Sequence, residues 1–290
     1  MTHLMLGMLA ETFLHPGTGQ TDGAIDLRVA RESVTRHPFI PGSGMKGALK
    51  AHFRDRPPAA WQPDDLANVF GLEDRAGGVL ISDARLLLLP VRSLSAPYLW
   101  LTCPLILERL VRDRSRSGFE ARPLSVALQA LAAPGPGEVL MNDVARHDRI
   151  FLEDRLFSVA GAVPPDVVST FEALFHGDAA RTASRLFRQL CIVSDDDFAW
   201  AADNALPVAA HNSLAEGTKA SRNLWYEENL PPDTLLYATL SARGGDDAVF
   251  KTLRRAVMDD AACAWLRIGA SETAGLGWVG CRWLAKGAAT

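Results

Sequence analysis

A chain of 290 residues with 48% hydrophobic and 22% charged residues has enough apolar content for a packed core and too much for a disordered or fibrous protein. Its formal net charge of -4 and isoelectric point near 6.0 exclude a uniformly basic polyanion binder. The apolar runs fall far short of the roughly 20 residues a membrane span needs, which predicts a protein that stays in the cytosol (cytoplasmic) and meets no membrane.

Residues 4–12 are apolar enough for a buried first strand and lack the basic start and small-residue cleavage site of a signal peptide. The turn-rich Pro16-Gly17-Thr18-Gly19 ends that strand. A long loop then leads through His37-Pro38-Phe39-Ile40-Pro41 into Gly42-Ser43-Gly44. Beyond it, residues 45–54 read as a helix, with Ser43 as N-cap and Met45, Leu49 and Phe53 along one face. Residues 79–89 read as a strand bounded by Gly77-Gly78 and Pro90, and residues 98–102 as another. Pro104 can open a helix over 105–114, since proline is tolerated in a first helical turn. The section 115–148, with Ala132-Ala133-Pro134-Gly135-Pro136-Gly137, reads as irregular. Helices are expected at 166–176, 180–190 and 246–260, and strands at 234–241, the first of them alternating, 265–268 and 278–283. Strands and helices mix without βαβ regularity, which predicts an α+β fold, of ferredoxin-like order with large insertions. Cys103, Cys191, Cys263 and Cys281 are scattered with no C-x-x-C pair and read as buried thiols.

Gly42-Ser43-Gly44-Met45-Lys46-Gly47 matches G-x-G-x-x-G in letters, but Pro38 and Pro41 break the strand that a dinucleotide fingerprint requires. What survives is physical: backbone N–H groups at a helix start, backed by Lys46 and Lys50, can bind an anion, or the glycines can simply shape a turn. Between positions 28 and 56 lie seven basic residues (Arg28, Arg31, Arg36, Lys46, Lys50, Arg54, Arg56) against two acids (Glu32, Asp55). That surplus of five, coinciding with the glycine loop, favours a phosphate partner over a merely solvated surface. Asp26 precedes this stretch; a carboxylate there is either an ion-pair partner, a ligand for Mg²⁺, or a base for a hydroxyl. His15 and His37 lie nearby and as lone histidines read as structural. The stretch Lys219-Ala220-Ser221-Arg222-Asn223-Leu224-Trp225-Tyr226-Glu227 mixes basic and aromatic side chains, as either a core-packed hairpin or a nucleic-acid contact.

Three groups of residues carry a resemblance. His15-Pro16-Gly17-x-Gly19, Gly23-Ala24-Ile25-Asp26-Leu27, Arg31-Glu32 and Pro38-Phe39-Ile40-Pro41-Gly42-Ser43-x-x-Lys46-Gly47 form the first. Leu224-Trp225-Tyr226-Glu227-Glu228-x-Leu230-Pro231-Pro232-x-Thr234 is the second, and Ile268-Gly269-x-x-Glu272-Thr273-x-Gly275-x-Gly277 the third. Together they resemble the RAMP superfamily of CRISPR proteins, and within it the backbone subunit of type III-B (Cmr) effector complexes. The resemblance implies a modified ferredoxin-like (RRM-like) palm over 1–290 as a single domain, with an insertion at about 115–150 and a projecting thumb hairpin at about 205–232. The partners it implies are CRISPR guide RNA, complementary target RNA, head-to-tail copies of the same chain and other subunits of the complex.

The implied activity is endoribonucleolytic cleavage of target RNA at regular intervals by 2′-hydroxyl attack. Asp26 matches the catalytic aspartate, as general base or ligand of a divalent metal such as Mg²⁺. His15 and Glu227 are candidates near the cleavage point. Ser43 and Lys46, with Gly42, Gly44, Lys50, Gly275 and Gly277, would contact the guide, and Lys219, Trp225 and Tyr226 the target. The chain departs from the pattern at Arg28, Ala30, Ala270 and Leu276, and His211-Asn212 stands where arginine is expected. Two other readings remain open: a non-catalytic guide-binding scaffold, and a guide-processing endoribonuclease using His15 or His37.

Overall fold

The computed structural model describes residues 3–20, 23–142, 148–177, 179–244, 247–259 and 261–286. In chain order the elements are β1 (His3–Ala10), β2 (Gly17–Gln20), β3 (Leu27–Val29), β4 (Phe39–Ile40), α1 (Gly42–Asp55), α2 (Asp65–Phe70), β5 (Val79–Ile81), β6 (Ala84–Val91) and β7 (Leu99–Thr102). There follow α3 (Pro104–Arg116), α4 (Arg122–Ala130), β8 (Glu138–Met141), β9 (Arg149–Leu152), β10 (Arg155–Gly161), α5 (Pro165–Glu172), α6 (Ala179–Gln189), β11 (Leu190–Val193) and α7 (Asp195–Asn204). The last are β12 (Val208–Leu214), β13 (Ser221–Glu228), β14 (Leu235–Ala242), α8 (Asp247–Asp259), β15 (Trp265–Arg267) and β16 (Trp278–Ala285).

β1 is apolar without alternation because it lies between β16 and β14, antiparallel to both, so Leu6 faces Trp283 on one side and Ala238 on the other. β14 in turn meets β6 antiparallel, giving the run β16–β1–β14–β6. This central position explains why β14 is buried almost throughout, against the expected alternation. α1 turns Met45, Leu49 and Phe53 into the core, as their spacing implies, and Phe53 stacks on Trp61 at 4.7 Å.

β6 serves two partners in succession. Arg85, Leu86 and Leu88 pair with β14, and then Leu89, Pro90 and Val91 pair with β7. From there the sheet continues β7–β11–β8–β10–β9 with parallel and antiparallel pairs mixed. The whole is an α+β fold around one continuous hydrophobic cluster. All four cysteines are buried and free, as expected.

Several local expectations are corrected. Within the section expected to be irregular, residues 115–142 carry regular elements: Pro123 lies in the first turn of α4, and β8 forms beyond the Pro134-Gly135-Pro136-Gly137 turn, while positions 143–147 lie outside the described residues. The strand expected at 79–89 is two strands, and Pro90 continues the second instead of ending it. The helix expected at 166–176 stops at Glu172. α7 went unforeseen because Asp195-Asp196-Asp197 resembles a solvated acidic run. Those acids instead occupy its first turn, where the helix dipole favours negative charge, and the Ser194 hydroxyl caps it by accepting from the Asp197 N–H at 3.1 Å. Among the described residues no helix is long and apolar enough to cross a membrane.

Candidate functional site

A second sheet, in the order β12–β13–β3–β2, carries the site. β12 and β13 form a hairpin inside the expected thumb segment, with His211 opposite Trp225 and Ala209 opposite Glu227. Alternation along the strand puts His211, Trp225 and Glu227 on one face and Tyr226 and Glu228 on the other. Trp225 and Tyr226 therefore present themselves on opposite sides of the hairpin. Lys219 sits in the turn between the strands at φ +57°. β13 meets β3 in parallel at Glu227 and Leu27, which brings Asp26 to the hairpin, where the Tyr226 N–H donates to Asp26 Oδ2 at 2.8 Å.

Between this sheet, the start of α1 and the segment 268–271 lies a groove of about 740 Å³, with His15, Leu27, Ser43, Gly44, Trp225 and Glu227 on its walls. Residues from both ends of the chain and from the hairpin thus meet in one place. His15 is buried, and its Nδ1 lies 2.7 Å from the Glu228 carbonyl oxygen. A carbonyl only accepts, so Nδ1 carries the proton and in the neutral ring Nε2 keeps the lone pair. Nε2 lies on the side of Gly17, where a Cβ would come within 2.5 Å of it.

Glu227 is 4% exposed, and its Oε1 has no hydrogen-bond partner among the described residues. His211 Nε2 is 3.8 Å away, beyond hydrogen-bond length, while the His211 ring stacks on Trp225 at 5.5 Å and 14°. At the opposite wall α1 begins without a side-chain cap, Pro41 being its N-cap and Ser43 lying inside the first turn. The Ser43 and Gly44 N–H groups have no partner among the described residues, so the positive end of the helix opens on the groove. Lys46, one turn along, forms no ion pair with the described residues.

Behind the groove is a buried ion pair. Arg31 donates to Glu228 Oε1 at 2.9 Å, with the two side chains 3% and 2% exposed, and Glu228 Oε2 accepts from the Val29 N–H at 3.1 Å. Arg31 also donates to the carbonyls of Ala202 at 2.8 Å and Arg36 at 3.0 Å and lies 3.2 Å from Asp203. β3, β13 and the end of α7 are thereby tied together. The C-terminal loop closes the other side: Gly269 has φ +97°, a Cβ there would stand 2.8 Å from the His15 carbonyl oxygen, and the Ala270 N–H donates to that oxygen at 3.1 Å.

Several expected contacts are spent on the fold. The Gly42 N–H donates to Asp83 Oδ1 at 2.7 Å and is used up, whereas Lys50 gives one of its three N–H donors to the Gly71 carbonyl at 2.8 Å and keeps its charge. Gly277 gives its N–H to the Phe13 carbonyl and accepts from Ile268, and the groove is lined by residues 268–271, not by Gly275 or Gly277. Arg31, Arg36 and Arg54 are paired with acids, so the basic residues around the glycine loop that have no acid partner among the described residues are Arg28, Lys46, Lys50 and Arg56. His37 lies in a separate small cavity with Glu32, Arg85 and Arg109, edge-on to Phe198 at 5.0 Å, and burial lowers its pKa. Burial works to raise the Glu32 carboxyl, but hydrogen bonds from Thr35 and Arg109 outweigh it and hold the pKa low.

The Arg31–Glu228 pair and His211 were missed as site residues. The usable signal was the doublet Glu227-Glu228: on a strand two adjacent acids face opposite ways, so one must enter the core and need a base.

A family model described as the RAMP superfamily matches residues 8–280. The CRISPR system Cmr endoribonuclease Cmr4 of Pyrococcus furiosus is 27% identical over 290 residues, covering 96% of this chain and 95% of that protein. Among solved structures, oligomeric Cmr4 from Pyrococcus furiosus aligns with a TM-score of 0.74 at 22% identity, covering 98% of each chain. A chain of the type III-B Cmr-beta complex bound to cognate target RNA aligns with a TM-score of 0.77 at 19% identity, covering 97% of this chain and 96% of that one.

Proposed function

The chain belongs to the RAMP superfamily, and from that premise we propose that it is the backbone subunit of a CRISPR type III-B effector complex, binding guide RNA and cleaving complementary target RNA at regular intervals. The observation that carries this reading is the convergence of His15, Ser43, Gly44, Trp225 and Glu227 on one groove with Asp26 held beside it. The antiparallel run β16–β1–β14–β6, with α1 after β1 and α8 after β14, supports a ferredoxin-like palm, and the β12–β13 hairpin supports a thumb. Copies would join head to tail, a heterologous contact that generates an open filament along the guide.

The chemistry is in-line displacement. The target's 2′-oxygen forms a bond to the adjacent phosphorus, the bond from phosphorus to the 5′-oxygen breaks, and the products are a 2′,3′-cyclic phosphate and a 5′-hydroxyl. A regular A-form strand holds these atoms out of line, so a nucleotide displaced by the hairpin gains the required geometry. Asp26, oriented through Oδ2 by the Tyr226 N–H, takes the 2′-hydroxyl proton. The leaving oxygen takes its proton from His15 in the imidazolium form, in which Nδ1–H stays on the Glu228 carbonyl and Nε2 carries the second proton. The open start of α1 and Lys46 hold guide phosphates.

A divalent ion fits only as a shared ligand. One carboxylate, Asp26, would hold it together with RNA phosphates, as Mg²⁺ commonly binds, and the ion would offset phosphate charge. The test is an assembled complex with guide and target. Asp26→Ala should abolish the ladder of regularly spaced products while guide binding persists. An undiminished ladder removes Asp26 from the mechanism, and no ladder from the unaltered chain makes the subunit a scaffold.

A further inference from the structure

The groove has two chemically unlike ends. One presents N–H donors at the start of α1; the other presents acceptors, the buried Glu227 Oε1 and, in the neutral ring, His15 Nε2. A carboxylate oxygen withdrawn from water without a donor is costly, and the His211 imidazole at 3.8 Å is too far to supply one. The walls beside it include Leu27, Ile40, Pro41 and Trp225, apolar surroundings that suit an aromatic ring. A nucleotide carries groups of both kinds, phosphate oxygens that suit the helix start and base-edge amines that suit Glu227.

We propose that Glu227 and Trp225 form a nucleobase site that prefers a base with an exocyclic amine to uracil. The proposal rests on the RNA-binding reading above and adds sequence preference to it. Cytosine presents its N4 amine to a carboxylate. Uracil presents O4 at the same position, and its N3–H is flanked by two carbonyl oxygens that repel the carboxylate. Phosphate contacts are the same for both, so the preference isolates the base end of the groove.

The test uses the full chain and fluorescein-labelled oligocytidylate and oligouridylate of equal length, with binding followed by anisotropy at low salt. Oligocytidylate should bind about tenfold more tightly, the discrimination one good base-edge contact gives. Glu227→Gln should bring the ratio to one or below, because its amide can donate to uracil O4. His211→Phe, which keeps a ring against Trp225, should preserve the ratio. Equal affinity of the two oligomers, no binding of either, or a ratio that survives Glu227→Gln overturns the proposal; a ratio lost in His211→Phe moves recognition from Glu227 to His211 and overturns it too. The measurement needs no cleavage, so a complex that binds with this preference yet cuts nothing sinks the nuclease reading and leaves the base site standing.

Discussion

Replacing Arg31 with methionine keeps most of its volume and removes the only cation drawn to Glu228 at hydrogen-bond distance among the described residues. The carboxylate it leaves is 2% exposed, with the Val29 N–H as its remaining donor. Breaking a buried pair from one side costs about 3–5 kcal/mol, against about 1 kcal/mol at most for an exposed pair. For a chain of this size that loss lowers the melting temperature by roughly 10 °C. Because the Glu228 carbonyl also holds His15 Nδ1, and β3 follows Asp26, the damage should spread into the groove. Urea unfolding of Arg31→Met, Glu228→Leu and the double variant measures the coupling. The double variant should be more stable than the Arg31→Met single, since paired removal leaves no stranded charge. Single losses below about 1 kcal/mol, or strict additivity, would refute the sealed-pair argument.

Gly269→Ala should lower stability and shift the His15 imidazole resonances, because a Cβ there meets the His15 carbonyl oxygen; unchanged spectra would show that the loop does not clamp His15. Burial holds folded His37 below the ordinary imidazole value of about 6.5, so the unfolded chain takes up its proton first. Stability is then full above about pH 6.5 and lost as the pH falls below it. His37→Phe should flatten the melting temperature over that window, and an unaltered slope counts against the assignment. Burial raises the Cys191 thiol to about 12 and the Cys103 and Cys281 thiols likewise, so a thiol reagent should label none of the four cysteines in the native state and all four in denaturant. Trp225→Ala should weaken RNA binding in the groove, whereas Tyr226→Ala, on the opposite face, should not.

The sheet centre was legible because its strands are continuous apolar runs, as at Leu4, Met5 and Leu6, and α1 because Met45, Leu49 and Phe53 repeat at helical spacing. The middle of the chain was not. Its proline and glycine cluster does mark a turn, but the short elements on either side are set by tertiary packing, which carries no local period. Motif spelling located the groove through His15, Asp26, Ser43 and Glu227. Spelling could not say which polar groups the fold itself consumes, since the Gly42 N–H is taken by Asp83, a partner made near only by the folded chain.

The adjacent pair Trp225 and Tyr226 also guards the hairpin against misalignment. Sliding β13 by one position would only interchange Glu227 and Glu228, but it would turn Trp225 away from the His211 ring and bring Tyr226 toward the groove instead. The turn at 215–220 can therefore change in length or sequence with little consequence, whereas one residue inserted or deleted between Trp225 and Leu230 would turn Trp225 to the opposite face of the hairpin. Among relatives and designed variants, length changes in this hairpin should collect at its tip and be absent from its base.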